Sequence, residues 1–395
     1  MRSTKNNIDK QIDYGVLLPV FLLSIVGMAS YYVALTHDVR PQNISQLMIQ
    51  QGIWYVLGGI VIFLVMQFSP KMVWKLTPIG YGIGIAVMTA LLFYYDTYLA
   101  DKTGSKNWFR FGSLTFQPAE LMKIAFILML AYIVTQHNIT YRQKTEKSDW
   151  LLIGKMLLVT LPIAVLLKLQ DDFGTMLVFI AILGGVFIMS GISWRIIIPT
   201  AAVLIVLSLL ILFLVTTDGG REMLYKVGFK SYQFARIDSW LDPFHDPTGN
   251  SYQQAQALKA IGSGGLFGKG YNQSEIFVPV RESDMIFSVI AENFGFLGSI
   301  FVIVLYFILI YRMIRMCFDT NNEFFTYIAT GVIMMILFHV FENIGMNIGL
   351  LPLTGIPLPF VSQGGSAILS NMIGVGLIML MRYQYSSGKD LQPIY

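Results

Sequence analysis

Apolar positions run nearly unbroken through about ten stretches of this chain: Tyr14–Leu35, Ile49–Phe68, Leu76–Tyr95, Pro118–Val134, Leu151–Leu169, Gly174–Ile192, Ile196–Val215, Ile286–Tyr311, Phe324–Ile348 and Ser366–Arg382. A bilayer core asks for about 20 apolar residues per helix, so the pattern predicts an all-α polytopic membrane protein with about ten transmembrane helices. The first stretch is longer than a signal-peptide core and lacks a small-residue cleavage site, which predicts a retained span. One connection breaks the rhythm. Thr216–Met285 lies between the seventh and eighth spans and contains Trp240, Phe244, Phe267 and the apolar run Ala255–Ile261, which predicts an ordered cap within a single transmembrane domain. Between Leu350 and Phe360, three prolines forbid regular helix in an apolar stretch; such backbone is tolerated at membrane depth only against protein or a polar cavity.

Composition agrees with the pattern. Of the 395 residues, 55% are apolar and 13% charged, and the mean hydropathy is +0.63. Soluble chains carry about 25% charged residues, so a soluble globular protein is excluded. The net charge of +4 is weak evidence about nucleic acid, because basic residues in such a chain serve orientation in the membrane, and no nucleic-acid partner is expected. With the N-terminus inside, the even-numbered connections hold Lys71, Lys75, Arg142, Lys144, Lys147, Arg195, Arg312 and Arg315, and the tails add Arg2, Lys5, Lys10, Arg382 and Lys389. The short outer connections hold only Arg40, Lys102, Lys106 and Arg110, so both termini are expected in the cytoplasm. Trp74, Trp150 and Trp194 fall at the inner ends of spans, where amphipathic rings favour the headgroup level. A single cysteine, Cys317, excludes an internal disulfide, and the four histidines show no zinc spacing.

The charges at span edges gather on one side. Glu120 and Lys123 open the fourth span, Asp171 and Asp172 follow the fifth, and Asp284 precedes the eighth, all on the outer face. A site for a charged, membrane-held substrate needs such convergence, although any one of these residues alone is as well explained as an interfacial charge. Glu120 and Lys123, spaced i,i+3, either neutralise each other or present a lysine to phosphate; His339 and Glu342 have the same spacing and read as an intrahelical pair. Lys155 and Lys168, near the ends of the fifth span, are expected to snorkel. The segment Ala260–Gly270 is either a phosphate-holding backbone nest or a glycine-rich turn. It is no Walker loop, because Ser263 stands where the first glycine belongs and Gly270 follows the lysine.

Five separated blocks resemble the SEDS family (shape, elongation, division and sporulation), specifically its RodA branch. They are Gly104–Trp108 with Gln117–Lys123, Gln170–Thr175, Trp240–Phe244 leading through Tyr252 and Gln253 to the glycine segment, Pro279–Glu292, and Asn343–Met346 running into Thr354–Ser366. The resemblance implies a ten-helix peptidoglycan glycosyltransferase that polymerises lipid II outside the bacterial cytoplasmic membrane with a class B penicillin-binding protein as partner. The family's essential aspartate matches Asp284, while Trp108, Glu120, Lys123 and Asp172 match other positions tied to activity. Val280 replaces a family glutamate, Asp171 a usual proline and Gln363 a common tyrosine; Glu282 is the nearest carboxylate to stand in for the first.

Displacement at a sugar carbon bearing a diphosphate needs a base and positive charge. Asp284 is the expected base, with Lys123, Arg281 and Lys269 as cations for the diphosphate and Trp108, Glu120 and Asp172 as further substrate-binding residues. A divalent cation, Mg²⁺ or Mn²⁺, would suit the same charge, though no ligand spacing specifies one. The rival readings are a flippase for the lipid-linked precursor, which calls for a polar path through the bilayer, and a scaffold that only positions a partner synthase.

Overall fold

Nothing in a hydrocarbon layer hydrogen-bonds a bare peptide group, so each apolar run closes its backbone on itself as helix. The computed structural model describes residues 12–39, 43–112, 114–229, 231–246, 248–249, 251–319 and 322–386. Along the chain it has α1 (Tyr14–Thr36), α2 (Ile44–Met66), α3 (Pro70–Tyr94), α4 (Thr97–Thr103), a hairpin of β1 (Phe109–Phe111) and β2 (Leu114–Phe116), α5 (Pro118–Thr140), α6 (Glu146–Leu169), α7 (Phe173–Met189) and α8 (Trp194–Thr216). Then follow α9 (Asp218–Val227), α10 (Ser231–Leu241), α11 (Tyr252–Ser263), α12 (Ile286–Asp319), α13 (Glu323–Asn347) and α14 (Gly365–Ser386). The boundaries are set by local chemistry. Asn43, Ser69, Thr145, Asp172 and Asn322 each turn a side-chain oxygen onto the first free N–H groups of the following helix. Pro70 and Pro118 occupy first-turn positions where no N–H is needed.

Among the described residues, nine helices are long and apolar enough to cross a membrane. The sixth expected span, α7, is shorter at 17 residues, because Asp172 caps one end and the chain turns at Ser190 and Gly191 beyond the other. α5 and α14 lie at the centre, each with 72% of its apolar window buried, whereas only 11% of α8 is buried. α14 packs on α2 and α5, α13 on α5, α7 and α12, and α1 on α12, while α8 packs chiefly on α9. The exposed Val203, Leu204, Ile205 and Val206 of α8 are the surface that lipid solvates. Trp150 and Trp194 are exposed at helix starts, and Trp74 packs on Tyr132 and Phe324. Of the charges used to orient the chain, Arg2, Lys5, Lys10, Arg40 and Lys389 lie outside the described residues. Lys155 approaches His137 Nδ1 at 3.3 Å and lies over the Tyr141 ring, so its charge is met by protein groups as well as by any snorkelling.

The connections at one end of the bundle interlock into a cap. His37, after α1, meets the Asn272 carbonyl at 3.1 Å; Trp240 Nε1 of α10 donates to the Gly349 carbonyl at 3.1 Å; Gln254 Nε2 of α11 donates to the Met346 carbonyl at 2.7 Å.

The expected eighth span, Ile286–Tyr311, differs from the structure in two ways: α12 continues to Asp319 and breaks at Gly295, where φ is 65° and ψ −159°. The glycine segment repairs the break. Phe296 and Leu297 donate to the Gly265 and Leu266 carbonyls, while Lys269 and Gly270 donate to those of Glu292 and Asn293. A Cβ on Gly295 would sit 2.3 Å from the Gly268 nitrogen, and one on Gly268 2.2 Å from the Asn293 oxygen. These glycines therefore exist for close backbone packing. With the amides of Gly268, Lys269 and Gly270 bonded to protein carbonyls, the turn reading replaces the phosphate nest.

The proline-rich stretch passes between helices as a buried strap. Its carbonyls find side-chain donors: Asn343 Nδ2 to Ile356 at 2.7 Å, Tyr55 to Phe360 at 2.8 Å, and Tyr306 to Pro359. Ser362 Oγ in turn donates to the Ser283 carbonyl at 2.7 Å, tying the strap to the loop ahead of α12.

Candidate functional site

That loop carries Asp284. Ser283 and Met285 both donate their N–H to the Val280 carbonyl, closing a tight turn, and Val280 itself adopts φ 56°. A β-branched residue in this region is strained, and it persists because both sides of the turn are anchored. On one side the Gln363 N–H donates to the Glu282 carbonyl at 3.0 Å. On the other, Nδ2 of Asn343 and Nδ2 of Asn347, one helical turn apart on α13, donate to the Asp284 carbonyl at 2.8 and 3.0 Å. Main chain and side chain are thus held separately.

The Asp284 carboxylate accepts from Ser283 Oγ at 2.8 Å and stands against the strap at Gly355, where an added Cβ would lie 3.3 Å from Oδ2. Burial pushes its pKa up from the ordinary carboxylate value to about 7. The Ser283 hydrogen bond opposes the rise, the Glu282 charge adds to it, and the Arg236 charge on α10 opposes it. A carboxyl group poised near neutrality can both accept and release a proton there.

The strap residues just before Gly355, Leu353 and Thr354, line a cavity of about 430 Å³ on the cap face. Its walls are the end of α4 with Gly104 and Ser105, the α6–α7 turn at Asp171 and Asp172, α10 at Ala235, Arg236 and Ser239, and the strap at Leu353 and Thr354. Asp172 builds this corner. Its Oδ1 accepts from the Thr175 N–H at 3.1 Å, and its Oδ2 accepts from Asn107 Nδ2 at 2.7 Å and Gln117 Nε2 at 3.1 Å. One side chain therefore fastens α7, the start of α5 and the segment before the hairpin. Trp108, half-buried, belongs to that segment, and its carbonyl accepts the Asp96 N–H at 2.9 Å.

The remaining candidates are held by protein partners. Lys123, 1% exposed, donates to Glu120 Oε1 at 2.9 Å and meets His339 Nε2 at 2.8 Å. His339 Nδ1 lies 2.5 Å from the Met335 carbonyl; that carbonyl can only accept, so Nδ1 carries the hydrogen and Nε2 accepts a hydrogen bond from the Lys123 ammonium. The expected His339–Glu342 pair is thereby corrected. His339 turns to Lys123 on a neighbouring helix, and Glu342 bonds Thr354 of the strap. Lys269 sits between Glu275 Oε2 at 2.9 Å and Glu292 Oε1 at 3.0 Å. Glu292 also accepts from Ser274 Oγ and from the N–H groups of Glu275 and Ile276, so Lys269 closes a buried knot. Arg281 is buried, donates Nη1 to Ser274 Oγ at 3.0 Å and lies over the Phe277 ring. Neither Lys269 nor Arg281 lines the cavity.

Sequence reasoning passed over Arg236, Asn343, Asn347 and Ser283 as site residues. The asparagines left a signal, two amides at i,i+4 at the end of an apolar span, where an unpartnered amide is costly. Arg236 left none, since its relation to Asp284 spans unrelated segments. Among the described residues, no group of three or more His, Cys, Asp or Glu is placed to hold a metal, and the Asp172 oxygens are already bonded. Among the described residues, the side chains do not form a site for a resident Mg²⁺ or Mn²⁺.

A profile of the FtsW/RodA/SpoVE family, described as cell cycle protein, matches residues 12–387. The chain is 34% identical over 369 residues to the peptidoglycan glycosyltransferase MrdB of Escherichia coli (strain K12), covering 91% of this chain and 92% of that one. It is 31% identical to the probable peptidoglycan glycosyltransferase FtsW of Hydrogenovibrio crunogenus, covering 93% and 90%. A structure described as the coordination of polymerization and crosslinking by a peptidoglycan synthase complex superposes with a TM-score of 0.75 at 25% identity, covering 94% of this chain and 98% of that one. The crystal structure of the rod shape determining protein RodA of Thermus thermophilus gives 0.66 at 26% identity, covering 94% and 97%. With the ten apolar helices, the capped face and near-complete coverage in agreement, the chain belongs to the FtsW/RodA/SpoVE (SEDS) family of multi-pass membrane proteins, on its RodA branch.

Proposed function

We propose that this protein is a peptidoglycan glycosyltransferase that joins lipid II disaccharides into β-1,4 glycan strands on the outer face of the bacterial cytoplasmic membrane, in cell elongation and cell-shape control. The observation that carries this reading is the Asp284 carboxyl group, poised near pH 7 on an anchored turn against the strap that walls a cavity of the cap face. The relatives' names, peptidoglycan glycosyltransferases, support it.

In the proposed reaction the acceptor's 4-hydroxyl gives its proton to Asp284 as its oxygen attacks the anomeric carbon of the donor. The bond to the diphosphate breaks with its electron pair, undecaprenyl diphosphate departs, and in-line attack turns an α-linked sugar into a β-linked product. A positioned base contributes about 10² to 10⁴-fold. The carbonyl bonds from Asn343 and Asn347 fix the base without consuming its proton-accepting oxygens. The charge bias of the connections supports both termini in the cytoplasm, which sets the cap outside. The name of the synthase-complex neighbour supports a class B penicillin-binding protein as the transpeptidase partner.

The test is purified protein with lipid II, with and without that partner, followed by separation of glycan chains. Wild type is expected to build chains and Asp284→Ala none; equal chain growth from both removes Asp284 as base. Labelled precursor that crosses vesicles without forming chains would favour the flippase.

A further inference from the structure

A carboxylate base has two oxygens, and a proton transfer uses one of them. At Asp284 the surroundings of the two differ. Oδ1 accepts from the Ser283 hydroxyl at 2.8 Å, the one hydrogen bond that reaches this carboxylate among the described residues. Oδ2 faces Gly355 of the strap. A Cβ placed on Gly355 would meet Oδ2 at 3.3 Å and, chain neighbours aside, no other described heavy atom within 4 Å, so the bare backbone leaves a notch over that oxygen. With φ at 78°, Gly355 holds a conformation that residues with side chains rarely adopt. It follows Leu353 and Thr354, which wall the cap-face cavity, and Asp284 is only half-buried.

Ser283 is itself held on both sides. Its N–H donates to the Val280 carbonyl at 3.1 Å and its carbonyl accepts from Ser362 Oγ at 2.7 Å. The next carbonyl, that of Asp284, takes the amides of Asn343 and Asn347. The hydroxyl is thus carried on pinned main chain, and its one hydrogen bond goes to the carboxylate.

We propose that Ser283 is a positioning residue of the transfer reaction: its hydroxyl holds Oδ1 and so turns Oδ2 to the Gly355 notch, where the hydroxyl of the acceptor sugar delivers its proton. This deepens the glycosyltransferase reading and rests on it. In the step, the acceptor O–H bond breaks and its proton passes to Oδ2. The acceptor oxygen bonds the anomeric carbon, and the bond from that carbon to the diphosphate breaks with its electron pair. Oδ1 keeps the serine hydrogen bond throughout, so Ser283 acts through Asp284. The same bond favours the ionised carboxylate against burial. It therefore sets the pH at which the base is ready as well as the direction in which it points.

The experiment uses the full chain in lipid nanodiscs as wild type, Ser283→Ala, Ser283→Thr, Ser362→Ala and Asp284→Asn. Chain growth from lipid II is followed across pH with kcat and KM separated. In the same preparations the Asp284 carboxyl is titrated by infrared difference spectroscopy, its band identified by loss in Asp284→Asn. The charged groups on the elements around Asp284 are the same in Ser283→Ala as in wild type: Arg281 and Glu282 on its own loop, Arg236 on α10 and Glu342 on α13, while residues 350–364 of the strap carry none. Losing the hydroxyl should therefore raise the carboxyl titration and the acid limb of kcat together, by about one pH unit. Above that limb kcat should stay about ten-fold low at an unchanged KM, because the ionised base is present but no longer turned to the notch. Ser283→Thr keeps the hydroxyl and should restore both. Ser362→Ala frees the Ser283 carbonyl but leaves the bond to the carboxylate, so it should lower the melting temperature without moving the titration. A titration unmoved in Ser283→Ala, a wild-type plateau rate in that variant, no recovery in Ser283→Thr or an equal shift in Ser362→Ala overturns the inference and leaves the glycosyltransferase reading standing. Wild type that builds no glycan, while Ser283→Ala still shifts the carboxyl, overturns that reading instead.

Discussion

The side-chain amide of Asn343 donates to the main-chain carbonyl of Asp284 at 2.8 Å and to that of Ile356 at 2.7 Å. One buried asparagine thus sets the distance between the loop bearing Asp284 and the strap facing it. Asn347 backs up only the first of these bonds, at 3.0 Å. Asn343→Ala is therefore predicted to cost about 1–3 kcal/mol and to cut polymerisation sharply, with Asn347→Ala milder on both counts. Thermal unfolding and chain-growth rates of the two variants check the order; a milder Asn343 variant contradicts the arrangement.

A base that titrates at about 7 must be ionised to work, so polymerisation is predicted to fall as pH drops through about 7. The effect on stability has a definite sign. Between the ordinary value of 3.8 and about 7 the unfolded carboxyl is ionised while the folded one keeps its proton. Wild-type stability therefore declines as pH rises across that window and levels off above it. Asp284→Asn removes this penalty, so it should be inactive yet melt at higher temperature than wild type at pH 8, with the gain shrinking toward pH 4. Melting curves at both pH values decide it; a less stable variant at pH 8 counts against a buried, proton-holding Asp284.

Lys123 and Glu120 form a pair almost fully removed from solvent. Lys123→Met strands the carboxylate and is predicted to lose about 3–5 kcal/mol, while Glu120→Leu/Lys123→Met regains most of it because no lone charge is left buried. The double variant, once stable, then reads the part of the Glu120–Lys123 pair in substrate binding, through its KM for lipid II.

Gly295 breaks α12 at φ 65° and has the Gly268 nitrogen where a Cβ would go. Gly295→Ala is predicted to destabilise by several kcal/mol, through backbone strain and steric overlap together. Folded yield and melting temperature measure it, and a wild-type melt would show that the two segments do not meet as described.

Local properties were legible in the sequence. Helix existence and approximate ends follow from apolar runs bounded by Asn43, Ser69, Asp172 and Pro118, since hydrocarbon and capping act on neighbouring residues. The non-helical strap was equally visible, because proline lacks the N–H that a helix needs. Less visible were the α12 break and the role of the glycine segment. A single glycine in an apolar run looks the same whether it packs against lipid or another backbone.

By itself the sequence determined a many-span membrane protein and its family, and it set the expectations of orientation from charge and of Asp284 as a site residue, because each depends on composition or on residues close in the chain. Only the tertiary structure decided what the charges do. It buried Lys123 with His339 from 216 positions away, spent Lys269 on Glu292, and set Arg236 of the cap in the wall of a cavity with Asp171 and Asp172. A cation acts on whatever shares its low-dielectric volume, and packing between distant segments decides which groups those are.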